Sequence, residues 1–185
     1  SLSDRRCKAM ASSRTWMAGV TKAALEFPCR SWPLGRASNT GLRPGPGRPA
    51  FQVYDGSTAD TIALTFFTIA SPASSAEALA SQCVAQLSEH WDRCGCGDLQ
   101  KAGVLEQFTR VHVQRWPLEP FIADETDPET IHAHPQPVAA LAEVDWQGQL
   151  HFAGTETDLS SPGVMEGALG SAARAVAALM ALKGG

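Results

Sequence analysis

The segment from His151 to Ala168 constrains the fold of this chain more than any other part of the sequence. It starts with an apolar run that predicts a short strand at 150–153, continues with a Gly-Thr turn, and ends at the start of a helix. Backbone N–H groups at a helix N-terminus have no intrahelical partner, so such an arrangement can hold an electron-rich ligand. The segment therefore predicts a ligand site near the C-terminal end of the sequence.

The residues that follow predict one long helix, from about 162 to 183. Ser160 or Ser161 would cap its N-terminus, and Pro162 suits a first helical turn. Glycines at 167 and 170 leave little side chain on one face, which could press against a neighbouring element or a ligand. Close packing in a core is the alternative explanation, and an apolar row would supply it: Val164, Ala168, Ala172 and Val176, widened by Leu169, Ala173 and Met180.

Upstream, the hydrophobic pattern predicts several strands and another helix. Polar residues predict an unstructured start, and proline with glycine predicts a loop at 28–50. The predicted strands lie at 16–27, 51–54, 62–70 and 104–116. The predicted helix at 76–91 has an apolar face formed by Leu79, Cys83, Leu87 and Trp91. An acidic, proline-rich stretch precedes a helical turn at 137–141. This order predicts an α+β (mixed α/β) class, without a complete nucleotide-binding βαβ unit.

Composition restricts the partners of the chain. A net charge of −4 and a pI of about 5.7 argue against a nucleic-acid partner, which needs a basic face. Only 18% of the residues are charged, so part of the surface is expected to be buried against something else. No apolar run approaches the ~20 residues of a membrane span. Residues 1–10 lack the apolar stretch of a secretory signal.

Five cysteines at irregular spacing do not suggest a disulfide framework, which favours a reducing compartment and predicts a cytoplasmic protein. Two clusters could be drawn as metal sites, but free thiols in a turn and solvated histidines explain them better, and no metal is predicted. They are His90 with Cys83, Cys94 and Cys96, whose Cys-x-Cys spacing is unusual for zinc, and His132 with His134, Asp127 and Glu129.

The sequence Phe-Ala-Gly-Thr-Glu-Thr at 152–157, followed by Gly-x-Met-Glu-Gly-Ala at 163–168, resembles the C-terminal flavin-binding signature of the flavin-containing amine oxidases, a monoamine oxidase-like family. The resemblance implies that the last helix begins beneath the flavin ring. Its N-terminal N–H groups would face the pyrimidine side, where negative charge collects on reduction. By position, FAD would lie along Gly154, Thr155 and Glu156 with its ribityl and phosphate part, and against Val164 and Met165 with its ring.

Two further stretches carry the resemblance. The run at 16–22, followed by Phe27-Pro28, is similar to the family strand that delivers a lysine to the flavin N5 through a water. This implies that Lys22 handles protons during reoxidation by oxygen; a strand-edge lysine reaching solvent is the alternative. A lysine in an apolar strand readily loses basicity. Trp116 resembles the family tryptophan that lies close to the flavin, and a core tryptophan is the alternative.

The chain also departs from the family pattern, and these departures limit what the resemblance implies about substrate, cofactor attachment and domain content. Val164 stands where many members have an aromatic residue that helps guide the amine, so the resemblance does not fix the amine class. No cysteine follows Cys96, so FAD is expected to be noncovalent. The chain has no Gly-x-Gly-x-x-Gly segment for the ADP half of FAD. It is therefore expected to be a C-terminal portion, with residues 1–140 in a substrate-binding domain, residues 141–185 in the FAD-binding domain, and an N-terminal dinucleotide-binding half as partner.

The resemblance implies oxidation of a small-molecule amine, with hydride transfer to FAD and reoxidation by oxygen to give hydrogen peroxide. In that case His132 or His134 could line the substrate pocket. Two alternatives stay open. The chain could be a noncatalytic remnant or an interaction subunit with the family fold, or it could serve another flavin oxidoreductase such as a desaturase.

Overall fold

The computed structural model describes residues 2–30, 32, 40–69, 71, 73–94, 107–123 and 136–183. The chain forms two compact units, one made of Ser1–Trp16 with Ile131–Gly185 and the other of Met17–Thr130. The sequence divides instead at residue 140 into a substrate-binding and an FAD-binding part, and that assignment of roles stays a prediction.

Within its described residues, the unit Met17–Thr130 contains five strands: β1 Thr21–Phe27, β2 Thr40–Gly41, β3 Ala50–Asp55, β4 Ile62–Thr68 and β5 Arg110–Arg115. They form an antiparallel sheet in the order β2-β3-β4-β1-β5, with β4 in the middle. The strands predicted at 51–54 and 62–70 are confirmed within two residues at each end. The strand predicted at 104–116 is confirmed at Arg110–Arg115 and is wrong at 107–109 and at Trp116, which begins a 3-10 helix; residues 104–106 lie outside the described residues. Helices and an antiparallel sheet together confirm the α+β class.

Side chains alternate between the two faces of the sheet, as the period of a strand requires. In β1 the odd positions are buried and the even positions, which include Lys22, are half-buried. Lys22 pairs with Phe67 of β4 on one side and with Gln114 of β5 on the other. The buried face holds the core, and Lys22 lies on the opposite face.

Helix α2, Ala76–Arg93, packs on the buried face of this sheet. Ser75 caps it by accepting a hydrogen bond from the amide of Ala78 at 3.1 Å. The predicted apolar row is confirmed, because all four side chains are buried in one cluster with the strands: Leu79, Cys83, Leu87 and Trp91. Burial also raises the pKa of the Cys83 thiol to about 12.

The strand predicted at 16–27 is wrong in its first part. Residues Trp16–Gly19 form a 3-10 helix, and the strand begins at Thr21. The amide of Val20 donates to the carbonyl of Met17 at 3.0 Å and closes this turn before the chain joins the sheet. The loop predicted at 28–50 contains the two-residue strand β2, which borders β3. A local turn bond thus excludes Trp16–Gly19 from the strand, and pairing with β3 makes Thr40–Gly41 a strand.

The other unit contains α1 Asp4–Ser12, α3 Ala139–Ala142 and α4 Met165–Lys183. The unstructured start predicted for the chain is wrong, because α1 forms there, with Ser3 accepting from the amide of Arg6. The helical turn predicted at 137–141 is confirmed by α3. The last helix is confirmed, but it begins three residues later than predicted.

The strand predicted at 150–153 does not form in the described residues. Leu150 makes a single bridge to Asp145, around a turn in which Trp146 and Gln147 have φ values of 53° and 59°. A strand needs a hydrogen-bonding neighbour along its length, and among the described residues Asp145 alone provides bridge pairing. The segment before Gly154 is therefore not part of a sheet.

The apolar row predicted to bury α4 is also wrong. The buried positions are the small residues Gly167, Ser171 and Ala175, spaced four apart. The larger apolar side chains are exposed: Met165, Leu169, Val176, Leu179, Met180 and Leu182. Small residues let the helix backbone approach the chain before it closely, and this leaves the bulky face uncovered.

By length and composition alone, one helix of the described residues could cross a membrane, the segment Met165–Leu182. Only 17% of it is buried. Such a segment is weak evidence for a span, and Arg174 lies in its middle with its guanidinium bonded to backbone carbonyls of the same unit. The sequence-based expectation that the chain has no membrane span stays a prediction.

Candidate functional site

The turn at Gly154 is held by hydrogen bonds on both sides. Gly154 has a φ of 147°, a conformation that favours glycine, and it precedes a 3-10 helix at Thr155–Thr157. Its carbonyl accepts from the Thr157 amide at 3.0 Å and the Thr157 hydroxyl at 2.9 Å. Its amide donates to the hydroxyl of buried Ser171 at 3.0 Å. The predicted cofactor-contacting backbone is thus fixed to α4.

Arg174, which the sequence analysis did not select, ties the same turn to its surroundings. Its guanidinium donates to the carbonyls of Phe152 and Thr157 at 3.2 and 3.1 Å, and to the Thr157 hydroxyl at 2.9 Å. It also reaches the carbonyl of Ala142 at the end of α3, at 3.1 Å. The sequence signal was a single arginine within an alanine-rich helix, off the expected apolar row.

The connection between this turn and α4 is organised by Asp158. Its carboxylate accepts from the amides of Ser161 and Ser160 at 2.7 and 2.9 Å, and these bonds lower the pKa of Asp158. The prediction that Ser160 or Ser161 caps α4 is wrong, because the helix begins at Met165 and both serines lie before its N-cap position. Gly163, at a φ of 80°, donates its amide to Thr155 and accepts from the indole of Trp16.

The first turn of α4 presents unpaired amides. Among the described residues, the amides of Val164, Met165 and Glu166 donate no hydrogen bond, and the first intrahelical bond runs from Ala168 to Val164. Gly167 explains how the chain folds here: a Cβ on it would lie 2.1 Å from the carbonyl oxygen of Ser161. A side chain at position 167 would therefore clash with the connection that precedes the open amides.

A buried arginine holds the segment that leads into this turn. Arg6 of α1 is 1% exposed, and its Nε lies 2.5 Å from the carboxylate of Asp145. It also donates to the carbonyls of Leu141 and Glu143, and its guanidinium stacks over the ring of Phe152 at 4.3 Å. These contacts tie α1, which is far away in sequence, to Asp145 and to the ring of Phe152, two residues before Gly154.

Lys22 lies in the other unit, on the half-buried face of β1. Burial lowers the pKa of its amine, as the sequence analysis expected for a lysine in an apolar strand. Its Nζ lies 4.6 Å from the ring centroid of Phe67, its partner residue on β4. Among the described residues, no carboxylate lies within 4.0 Å of this amine. The lysine is thus presented against an aromatic ring and not in an ion pair.

Trp116 follows β5 directly and begins a 3-10 helix at Trp116–Leu118. Its amide donates to the carbonyl of Val20 at 3.3 Å, which places its backbone beside the start of β1, two residues from Lys22. The indole Nε1 is buried, and within the described part of the chain it has no hydrogen-bond partner. A buried indole N–H without an acceptor is costly, so this unpartnered group is an exception that calls for an explanation.

The predicted site residues therefore fall into two sets, one in each unit. Within the unit that contains α4, the carbonyl of Thr155 accepts the Gly163 amide at 3.4 Å and links the turn to the start of α4. Gly154, Glu156, Val164 and Met165 belong to this set. Within the unit Met17–Thr130, Lys22 lies near the start of β1 and Trp116 directly follows the end of β5, the neighbouring strand. Their contact with a cofactor stays a prediction.

The weaker metal patterns gain no support from the described residues, in which no group of three possible ligands is found. The Sγ of Cys94 lies 3.7 Å from His90 Nε2, while Cys83 is buried in the core. Cys96, His132 and His134 lie outside the described residues, as do Asp127 and Glu129.

Comparison with known proteins agrees with the motif-based resemblance. The model of the family described as flavin containing amine oxidoreductase matches residues 1–180, nearly the whole chain. No curated protein sequence matches at a significant level. Because the family match covers far more than half of the sequence, the chain belongs to the flavin-containing amine oxidoreductase family.

Proposed function

We propose that this chain contributes cofactor-binding and proton-handling residues to an FAD-dependent oxidase of small-molecule amines. Membership of the family supports a flavin-linked oxidoreductase in general. The observation that carries the finer proposal is the open start of α4, where the amides of Val164, Met165 and Glu166 have no acceptor within the described part of the chain. They follow the Gly154 turn that the resemblance assigns to FAD.

The residues present fit an electron-rich, planar cofactor. Gly154 carries no side chain, and a Cβ on it would meet only the Glu156 carboxylate, at 3.9 Å, so the backbone can be approached closely. The open amides at the start of α4, in the same unit as Gly154, supply donors. Flavin presents carbonyl oxygens and ring nitrogens as acceptors, and phosphate groups as anions. Donors without acceptors on the protein match this acceptor-rich group.

When bound, FAD would supply the hydride acceptor and the reaction with oxygen. The protein side of the chemistry then falls to named groups. The start of α4 carries roughly half a positive charge and stabilises negative charge placed at its open amides. The lowered pKa of Lys22 lets its Nζ release and regain a proton near neutral pH more easily than an exposed lysine does. Ser171 and Arg174 hold the Gly154 turn by hydrogen bonds, and Arg6 packs on the ring of Phe152 ahead of it.

The binding of FAD is proposed to be noncovalent, because no cysteine follows Cys96 in the sequence. An N-terminal dinucleotide-binding half is the proposed partner, since the sequence contains no Gly-x-Gly-x-x-Gly segment to hold the ADP part. Val164 is small and half-buried, so the side of the substrate is not walled by an aromatic ring at this position.

A second candidate function is supported by the exposed face of α4. Met165 is 80% exposed and Leu169 73%, and further apolar residues continue this face along the helix. An apolar face of this kind suits association with another protein surface. A noncatalytic subunit that keeps the family fold would use this face without needing Lys22.

Measurements of bound flavin and of hydrogen peroxide formation distinguish the two candidate functions. The chain would be co-expressed with the dinucleotide-binding half of a family member, and absorbance at about 450 nm would report bound oxidised flavin. The enzyme proposal expects this band and peroxide formed from at least one member of an amine panel. Lys22→Met should leave anaerobic bleaching by the amine intact and slow reoxidation by oxygen about 100-fold. A complex that forms but stays colourless with added FAD would support the noncatalytic subunit.

A further inference from the structure

The face of the sheet that carries Lys22 also carries a group of aromatic side chains. Phe67 is directly opposite Lys22 in the register of β1 and β4, and Nζ lies 4.6 Å from the centroid of its ring. Both side chains are half-buried. At this separation the negative face of an aromatic ring attracts an ammonium group.

The ring of Phe67 is held in place by two other rings. Tyr54 packs edge-on at 5.4 Å between centroids, with an interplanar angle of 65°. Phe51 packs at 6.1 Å and 64°. Phe51 reaches this position because the pairing of β3 with β4 shifts between Ala50 and Gln52, which is the irregularity of a β-bulge. The three rings thus form a fixed platform beneath the lysine.

The charged groups on the same face are engaged with one another. Glu26 of β1 is bound by His112 of β5 at 2.7 Å and lies 3.8 Å from Arg110. Gln114, which faces Lys22 from β5, donates instead to the carboxylate of Glu119 at 2.6 Å. Besides these, the titratable group that β3 brings to this face is the Tyr54 phenol. With no carboxylate of the described residues in ion-pair range, the ring of Phe67 is the contact that favours the charged amine.

We propose that Phe67 is a positioning residue for Lys22: its ring holds the amine over a fixed point of the sheet and stabilises the ammonium form. Two influences then oppose each other. Burial favours the neutral amine and lowers the pKa of Lys22, whereas the ring favours the charged amine and limits this fall. The balance keeps the lysine able to carry a proton while remaining in an apolar environment. The value of this balance for flavin reoxidation rests on the proposed function; the coupling itself does not.

The test is a titration of Lys22 in the full chain without FAD. The sequence has four lysines, Lys8, Lys22, Lys101 and Lys183, so ¹³C-dimethylated lysines can be assigned by single Lys→Arg substitutions and followed by NMR against pH. Phe67→Leu removes the aromatic face but keeps an apolar side chain, and it should lower the pKa of Lys22 by about half a unit. Phe67→Trp, with a stronger ring, should raise it.

Tyr54→Leu is the matched control, because it removes an aromatic ring from the same platform but not the one beneath the amine. It should leave the pKa of Lys22 within about 0.2 units of the wild-type value. The proposal is overturned if Phe67→Leu raises the pKa, since the ring would then act only by excluding water. It is also overturned if Tyr54→Leu and Phe67→Leu shift it equally. Neither result bears on whether the chain binds flavin.

Discussion

The hydroxyl of Ser171 accepts the amide proton of Gly154 at 3.0 Å and donates to the carbonyl of Ala168 at 3.0 Å. Ser171 is fully buried, and it is the middle member of the row of small residues that α4 turns toward its own unit. One side chain therefore connects the glycine turn to the body of the helix whose start presents open amides. The geometry of the proposed flavin-contacting backbone depends on this contact.

Ser171→Ala should destabilise the chain by about 1 to 2 kcal/mol, because the Gly154 amide loses its acceptor in a place that water reaches poorly. Urea denaturation followed by circular dichroism measures this loss. Ser81→Ala on the exposed face of α2 is the control and should be neutral or slightly stabilising, since alanine is the better helix former. Equal behaviour of the two variants would show that Ser171 does not hold the turn.

The two glycines of α4 should respond differently to alanine. At Gly167 the added Cβ would lie 2.1 Å from the Ser161 carbonyl oxygen, which is backbone and cannot move alone. At Gly170 it would lie 2.7 Å from the carboxylate of Asp158, the end of a side chain. Gly167→Ala should cost about 2 kcal/mol, while the helical preference for alanine should offset most of the cost at Gly170. A smaller loss for Gly167→Ala than for Gly170→Ala would contradict the close approach at Ser161.

Arg174→Met should be the most destabilising of these changes, at about 3 kcal/mol, because three carbonyls and the Thr157 hydroxyl lose a charged donor at once. Arg174→Lys should lie between wild type and Arg174→Met, since an ammonium cannot span the same acceptors. Thermal unfolding would rank the three proteins. The control is Arg5→Met at an exposed ion pair with Glu143, for which a change below about 0.5 kcal/mol is expected.

Asp55 should give the chain a stability change in acid. Burial raises the pKa of Asp55, but hydrogen bonds from Ser57, Trp32 and Arg30 outweigh it and lower the value to about 2. A pKa lowered by folding stabilises the protein above the unfolded value and loses that effect as the pH falls through the folded one. Roughly 1 to 2 kcal/mol of the free energy of unfolding should therefore be lost as the pH falls from about 4 to 2.

Asp55→Asn should flatten this dependence, whereas substitution of exposed Asp60 by Asn should leave it unchanged. Urea midpoints at several pH values between 2 and 5 would show the difference. The account of Asp55 fails if the wild-type chain and Asp55→Asn lose stability in parallel across that range.

Sequence patterns predicted the elements whose burial depends on large side chains. Leu79, Cys83, Leu87 and Trp91 lie four residues apart, and their spacing gave α2 and its buried face directly. Alternation in β5 predicted the half-buried Val111 and Val113. In these elements the side chains that fill the core are also the most hydrophobic residues of the segment.

The same rule failed for α4, where Gly167, Ser171 and Ala175 are buried and Leu169 and Met180 are exposed. A hydrophobic pattern detects helix faces lined by large apolar side chains, whereas this helix packs through a face of small residues. Arg174 was missed for a related reason, because its acceptors are carbonyls of Ala142, Phe152 and Thr157, and backbone acceptors leave no mark in sequence. The cofactor-contacting positions followed from a motif, and their role stays a prediction.

The most direct test of the central claim is a titration of the ¹⁵N-labelled chain with FAD, followed by amide chemical shifts. NMR detects weak binding, so millimolar FAD can report a site even without a dinucleotide-binding half. The account predicts saturable shifts at Gly154, Thr155 and Glu156 and at the open amides of Val164 and Met165, with the effect weakened in Ser171→Ala. Amides that do not respond at millimolar FAD, or shifts confined to other segments, would contradict a flavin site at the start of α4.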